Sequence, residues 1–136
     1  VRRPPRKRCD LKPMCVRPKC RRARWGETTL CAKHEADRVF SLQVRAVGEC
    51  VAAGTDGVEC KGVLQCAHVV SRRYMALRWD RDNAVALCAA HHVFYTERPL
   101  EWEDWVRARG IDWNNLRYLA LHDPPQDAEE WLRENA

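Results

Sequence analysis

The sequence lacks any uninterrupted apolar stretch long enough to cross a bilayer. Its uncharged apolar runs, such as residues 63–70, are far shorter than the ~20 apolar residues that a membrane-spanning helix requires. The basic start of the chain is not followed by the apolar segment that a secretory signal needs. Together with a mean hydropathy of −0.59, these absences argue against a membrane-spanning or exported protein and predict a cytoplasmic location.

The charged side chains are distributed unevenly along the 136 residues. Lysine and arginine number 24 against 19 aspartate and glutamate residues, a net charge of +5. Residues 1–24 hold eleven basic side chains and one acidic one, residues 25–96 hold eight of each, and residues 97–136 hold five basic and ten acidic ones. A basic segment on a nearly neutral body is typical of proteins that bind polyanions. Residues 1–14 are therefore predicted to form a flexible basic arm that contacts nucleic acid.

Cysteine is abundant for a chain in which no export signal is visible. The eight cysteines would serve either disulfides in an oxidising compartment or thiolate ligands of a metal ion. Four of the five histidines lie within four residues of a cysteine, a proximity that disulfides do not need: His34, His68, His91 and His92. Because zinc takes about four thiolate or imidazole ligands in a tetrahedron, this pairing favours a zinc protein.

The first group of cysteines has the spacing of a zinc knuckle. Two cysteines with four residues between them are followed, after ten intervening residues, by a Cys-x2-His pair. The expected ligands are Cys15, Cys20, Cys31 and His34. Apolar residues then recur at helical spacing over residues 32–47, so residues 15–48 are predicted to form a knuckle and a linking helix. Cys9 remains as an alternate ligand or a free thiol.

The rest of the chain shows strand patterns first and helix patterns later. Residues 63–70 and 83–87 predict two strands joined by an arginine-rich loop, and residues 88–95 predict a helix. Beyond Pro99, apolar spacing and capping residues predict further helices. The tryptophans of this part are assigned to core packing in preference to base stacking: Trp102, Trp105, Trp113 and Trp131.

Three short motifs stand in a fixed order in the middle of the chain. They are Ala67-His68-Val69, then Asn83 in Asp82-Asn83-Ala84-Val85-Ala86-Leu87-Cys88, then His92 in Cys88-Ala89-Ala90-His91-His92. This arrangement resembles the HNH endonucleases, the ββα-metal nucleases, in their small phage and prophage form. The resemblance implies an α+β fold in which residues 49–98 form a small zinc-stabilised ββα-metal core. The N-terminal knuckle would precede this core, and a C-terminal helical region would occupy residues 99–136.

The resemblance also implies a reaction, the hydrolysis of DNA phosphodiester bonds by an endonuclease or nickase. His68 would be the general base, and His92 would bind a catalytic Mg²⁺ or Mn²⁺. Asn83 would orient that base or support the loop. Three loop arginines would contact DNA phosphate: Arg72, Arg73 and Arg78. DNA would be the partner, together with phage packaging or recombination proteins.

Two positions depart from the family pattern. Many members carry an aspartate directly before the strand histidine, where this chain has Ala67; Asp80, Asp82 or water would have to replace that metal ligand. Members with a structural zinc usually show two Cys-x2-Cys pairs, which are incomplete here. The implied structural zinc ligands are Cys50, Cys60, Cys88 and His91, with Cys66 as the rival for one place. Two other functions stay open, a zinc-dependent nucleic-acid-binding protein without activity and a nuclease specific for recombination junctions.

Overall fold

The computed structural model describes residues 13–55 and 57–136. Residues 1–12 of the predicted basic arm lie outside the described residues, and so does Cys9. Within the described part, the α+β prediction is confirmed by five α-helices and a two-stranded antiparallel sheet. None of the described helices combines the length and the hydrophobicity that crossing a bilayer would require.

The chain enters through a tight turn and then forms its longest helix. Met14 and Ala23 form an isolated antiparallel bridge, and the Cys15 N–H donates to the Arg22 carbonyl at 2.9 Å. Helix α1 spans Ala32–Arg45 and begins at Cys31, which provides no side-chain cap. The predicted helix over residues 32–47 is therefore confirmed, and it ends two residues early. Gly48, at φ +79°, makes the turn that follows.

The sheet consists of two strands of five residues each. Strand β1 spans Leu64–His68 and strand β2 spans Ala84–Cys88, paired antiparallel with Cys66 opposite Ala86. Both strands are predicted, but β1 is shorter than the apolar run of residues 63–70. Asn83 lies in a 3-10 turn, Arg81–Asn83, instead of in the second strand.

Four helices follow the sheet, and the predicted helical tail is confirmed. They are α2 (Ala89–Thr96), α3 (Pro99–Ala108), α4 (Trp113–His122) and α5 (Ala128–Asn135). Pro99 occupies the first turn of α3, and the carboxylates of Asp112 and Asp127 cap α4 and α5 by accepting backbone N–H bonds. These local signals explain why the boundaries could be read from the sequence.

The two faces of the sheet are covered by different helices. Because side chains alternate along a strand, Ala67 and Leu87 point to one face and Ala86 to the other. The first face packs against α2, α3 and α4 in a hydrophobic cluster that contains Trp105 of α3. The second face packs against α1 and α5 in a cluster that contains Trp131 of α5. Both tryptophans are 8% exposed, which agrees with the assignment to core packing. Helix α1 thus packs on the sheet and forms part of its hydrophobic core, a larger role than that of the predicted linking helix.

Gly62 lies where the chain approaches the start of α2. It has φ +82°, and a Cβ at this position would lie 2.7 Å from the Cβ of Ala89. Gly48 has a similar φ of +79° but open space around it. We expect Gly48→Ala to cost ~1–2 kcal/mol of stability from backbone strain alone, and Gly62→Ala ~1–3 kcal/mol more because Ala89 must move. Urea unfolding of both variants checks this, and equal losses would contradict it.

Candidate functional site

Four side chains of the N-terminal turn and α1 converge on one point. The ligand atoms of Cys15, Cys20, Cys31 and His34 all lie within 4.8 Å of one another. The Nδ1 atom of His34 lies 3.3 Å from the Sγ atoms of both Cys15 and Cys31, and the Sγ atoms of Cys20 and Cys31 are 3.9 Å apart. This is the group predicted from the knuckle spacing.

A second group of the same composition lies at the start of α2. Its ligand atoms, within 4.8 Å of one another, belong to Cys50, Cys60, Cys88 and His91. The His91 Nδ1 atom lies 3.5, 3.6 and 3.1 Å from the Sγ atoms of Cys50, Cys60 and Cys88. The group is the one that the resemblance implied, and the rival Cys66 is not part of it.

The distances within both groups are those of a tetrahedral metal site. With Zn–S near 2.3 Å and Zn–N near 2.0 Å, a tetrahedron places sulfur about 3.5 Å from nitrogen and about 3.8 Å from another sulfur. The seven described cysteines are free thiols, and the 3.9 Å between the Cys20 and Cys31 sulfur atoms is far beyond the ~2.05 Å of a disulfide. The two Cys3His groups are therefore consistent with two structural zinc ions.

Both groups contain a cysteine at the N-cap of a helix and a histidine in the first turn of that helix. Cys31 is the N-cap of α1 and Cys88 is the N-cap of α2, and in each case a histidine follows three residues later within the first helical turn. One turn of helix brings positions three apart onto the same side. The histidine Nδ1 therefore faces the capping sulfur, at 3.3 Å in the first group and 3.1 Å in the second.

The thiols of each group differ in acidity. Burial raises the pKa of Cys15, but hydrogen bonds from the backbone of Arg17 and Cys31 and from the His34 ring outweigh it and lower that pKa to about 6. The pKa of Cys88 is likewise lowered to about 6, because the His91 backbone and ring oppose the effect of burial. Burial and the neighbouring thiols raise the pKa of Cys60 to about 11. Burial also raises the pKa of Cys31. Each group thus holds a stabilised thiolate beside a thiol of raised pKa, Cys31 in the first and Cys60 in the second, so metal binding must release protons.

A cleft of about 960 Å³ lies along β1, between α1 on one side and α2 on the other. Three of the predicted site residues line it: His68, Arg72 and His92. Five others do not: Arg73, Arg78, Asn83 and the alternative metal ligands Asp80 and Asp82.

His68 is fixed in the cleft by one hydrogen bond. Its Nε2 atom lies 2.8 Å from the backbone carbonyl of Arg78. A carbonyl oxygen can only accept, so Nε2 carries the proton and Nδ1 keeps a lone pair. Burial lowers the pKa of His68 below its ordinary 6.5, and the charges of Arg78 and Arg72 add to this against the opposing carbonyl bond. The ring is therefore neutral at pH 7.

Asn83 holds the arginine-rich loop and makes no bond to the His68 ring. Its side chain is fully buried; Oδ1 accepts from the Val70 N–H at 2.8 Å, and Nδ2 donates to the carbonyls of Val70 and Leu77 at 2.9 and 3.2 Å. Of the two roles left open for Asn83, the structure gives it loop support.

His92 projects from α2 toward the first strand. Its Nδ1 atom lies 2.7 Å from the side-chain Oε1 of Gln65. Because an amide oxygen accepts, Nδ1 donates and Nε2 is left with its lone pair. Burial lowers the pKa of His92, which also keeps this ring neutral and able to bind a metal ion.

The three predicted DNA-binding arginines lie in different surroundings. Arg72 is exposed in the cleft. Arg73 lies outside the cleft, over the ring of Tyr74 at 5.0 Å, and donates to its hydroxyl at 3.1 Å. Arg78 is 7% exposed and forms a forked ion pair with Asp37. Arg72 is thus the member of the three that is placed to meet a ligand in the cleft.

The described residues of the cleft offer little carboxylate for a metal ion. Ala67 is 2% exposed, and Asp80 uses its Oδ1 to accept from the Asp82 N–H outside the cleft. Asp37 lines the cleft, but both of its oxygens accept bonds from Arg78. Mg²⁺ prefers oxygen ligands, whereas the free donor that the cleft offers is the imidazole nitrogen of His92.

Sequence reasoning missed the part of the cleft that comes from the N-terminal region. The missed lining residues with polar side chains include Arg17, Asp37, Arg38, Ser41, Arg45 and Gln65. The spacing of Arg38, Ser41 and Arg45 places them on one side of α1, a signal that was present in the sequence. No sequence pattern indicated that Gln65 would meet His92.

Comparisons of the chain with protein-family profiles, with curated proteins and with solved structures find no match.

Proposed function

We propose that this protein is a metal-dependent DNA endonuclease or nickase of the HNH type, with a structural zinc ion in each Cys3His group. One observation carries the proposal. Two neutral imidazoles, each with one nitrogen fixed by a hydrogen bond and the other left unbonded among the described residues, line the same arginine-containing cleft: His68 and His92.

His68 has the properties of a general base. Its Nε2–H is held by the Arg78 carbonyl, so the lone pair of Nδ1 is available to take a proton from a water molecule. The lowered pKa keeps that nitrogen unprotonated at neutral pH. A base that holds one tautomer and one orientation removes the proton at a defined position, which favours in-line attack of the hydroxide on phosphorus.

His92 would bind the catalytic ion, and Gln65 would orient the His92 imidazole. When bound, a divalent ion stabilises the negative charge that develops on the phosphate and on the leaving oxygen. Gln65 contributes by fixing the His92 tautomer, so that Nε2 is the nitrogen with the free lone pair. The donor set leads us to expect Mn²⁺ to support cleavage better than Mg²⁺.

The arginines of the cleft form a surface for the DNA backbone. They come from the N-terminal turn, from α1 and from the loop after β1: Arg17, Arg38, Arg45 and Arg72. The acidic residue that lines the same cleft, Asp37, is already paired with Arg78. Guanidinium groups match phosphate oxygens in a bidentate manner, so the cleft suits a polyanionic strand.

Removing one of these arginines should change the salt dependence of binding. Each phosphate contact on duplex DNA steepens the dependence of log affinity on log salt by ~0.9. We expect Arg72→Ala to weaken DNA binding and to lower that slope by about one contact. Arg117, an exposed arginine of α4 outside the cleft, provides the matched control, Arg117→Ala, which should bind as the unmodified protein. Fluorescence anisotropy over a salt series measures both, and equal slopes would remove Arg72 from the DNA contact.

A zinc-dependent nucleic-acid-binding protein without activity is the second candidate. It is favoured by Ala67, a buried methyl group where a metal-binding carboxylate is expected, and by the paired state of Asp37. Both candidates require the zinc sites and the basic cleft. They differ in whether the bound DNA is hydrolysed.

Plasmid relaxation distinguishes the two candidates. Supercoiled DNA is incubated with the protein in EDTA at a concentration that spares the zinc, and then with added Mg²⁺ or Mn²⁺. The nuclease predicts nicked circles with Mn²⁺ and fewer with Mg²⁺, whereas the binding protein shifts the DNA in gels and leaves it intact. A four-way junction as a second substrate tests whether branched DNA is preferred.

A further inference from the structure

A buried polar network connects α1 to the loop that precedes the 3-10 turn. Arg78 lies at its centre: Nε and Nη2 donate to the two carboxylate oxygens of Asp37 at 2.8 and 2.6 Å, and Nη1 donates to the Arg72 carbonyl at 3.0 Å. Arg78 is 7% exposed. A buried guanidinium is costly unless it is fully paired, so Arg78 depends on Asp37 for its position.

The residue after Arg78 is fixed by the same network. The Trp79 indole N–H donates to Asp37 Oδ1 at 2.9 Å, and its backbone N–H donates to the side chain of Gln126 at 2.9 Å. The Trp131 indole N–H donates to the Trp79 carbonyl at 3.1 Å. Asp37 therefore accepts bonds from two consecutive residues and fixes the backbone between them.

That backbone contains the acceptor of His68. The carbonyl 2.8 Å from His68 Nε2 belongs to Arg78, the residue whose side chain Asp37 holds. Phe40, one turn after Asp37 on α1, packs against the His68 ring with 5.7 Å between centroids. The helix α1 thus acts on His68 through ring packing and through the position of its hydrogen-bond partner.

We propose that Asp37 is a positioning residue for His68: by holding Arg78 and Trp79, it places the Arg78 carbonyl where it fixes the Nε2–H tautomer of the His68 ring. The inference rests on the proposed function, in which His68 is the general base. A purely structural ion pair would stabilise the fold without this effect. The two roles differ in what happens to the imidazole when the protein stays folded.

The test is Asp37→Asn, read by ¹⁵N NMR of the histidine rings. Asparagine keeps the size of the side chain and one oxygen, but it loses the charge and cannot accept at both positions. We expect the His68 nitrogens, assigned by comparison with His68→Ala, to change from a single Nε2–H tautomer to a mixture. We also expect kcat for DNA cleavage to fall ~10²-fold, the typical cost of a misplaced catalytic group, with KM unchanged.

Glu35→Gln is the matched control. Glu35 lies on the same helix and forms an ion pair with Arg38 at 2.6 Å, but it makes no bond to the loop that carries Arg78. This variant should keep the His68 tautomer of the unmodified protein, and it is read by NMR alone because Arg38, the partner of Glu35, is one of the arginines proposed to contact DNA. If Asp37→Asn fails to fold, Arg78→Lys replaces it, because lysine keeps the charge but cannot form the fork; the same tautomer mixture is expected.

A folded Asp37→Asn or Arg78→Lys protein with an unchanged His68 tautomer would overturn the proposal. So would a Glu35→Gln protein with the same mixture, because the effect would then be a general one of α1. The NMR measurement needs neither DNA nor cleavage. Absence of cleavage by the unmodified protein would therefore overturn the proposed nuclease function without affecting the measurement of the tautomer.

Discussion

Replacing His68 by alanine is expected to abolish divalent-dependent DNA cleavage and to leave DNA binding and zinc content unchanged. Loss of a general base typically costs ~10²–10⁴-fold in rate. The fold should tolerate the change, because the ring is only partly buried. Once the ring is removed, the Arg78 carbonyl that it bonds to can accept a hydrogen bond from water instead. The measurement is the initial rate of plasmid nicking with saturating Mn²⁺.

His122→Ala is the control for this experiment. His122 ends α4, is exposed and packs against the tilted ring of Tyr118 at 4.3 Å between ring centroids, outside the cleft. Its replacement should leave the nicking rate within a few-fold of the unmodified protein. If His68→Ala cleaves as fast as His122→Ala, His68 is not the base, and the binding protein without activity becomes the better candidate.

The metal ligands could be predicted because their arrangement is mostly local. A cysteine at the start of a helix and a histidine three residues later converge whatever the rest of the fold does. This explains the pairs Cys31–His34 and Cys88–His91. Cys50 and Cys60 depend on the resemblance to a family. They lie 38 and 28 positions before Cys88, and no local geometry relates residues at such separations.

The arginines of the loop show what spacing alone could not resolve. Arg72, Arg73 and Arg78 could not be told apart by position, because all three lie in the segment between the two strands. Their environments depend on α1, which is distant in the chain. Asp37, 41 positions before Arg78, forms the ion pair that allows the Arg78 side chain to be buried. Arg72 and Arg73 keep exposed side chains because no acidic residue of the described chain reaches them.

The role of α1 is the main feature that sequence reasoning did not predict. Its periodicity and its end at Gly48 were visible, so the helix itself was expected. That it covers one face of the sheet depends on Phe40 and Val44 meeting Ala86 and Trp131, contacts between residues more than 40 positions apart. The same packing brings Asp37 to Arg78 and the arginines of α1 to the cleft. Tertiary contacts of this kind have no local signature.

Loss of a zinc ligand is expected to have a larger effect on stability than any other substitution considered. We expect two zinc ions per chain, and we expect Cys88→Ser to lose one of them and to unfold the region around the sheet. Structural zinc contributes ~10–16 kcal/mol in small zinc-binding peptides, as much as the whole ~5–15 kcal/mol net stability of a typical domain. The sheet has two strands of five residues, and a lone hairpin of this size is marginal.

Cys66→Ser separates the loss of a ligand from the loss of a thiol. Cys66 lies on β1, half-buried and outside both groups, and burial raises its pKa to about 11, so it is a neutral thiol. Elemental analysis should find two zinc ions in this variant and one in Cys88→Ser, and circular dichroism should show loss of cooperative unfolding in Cys88→Ser alone. Equal zinc content in the two variants would refute the second site. Disulfides among the ligand cysteines of the native protein, detected by mass spectrometry, would refute both sites, because a thiolate joined to another sulfur cannot bind the ion.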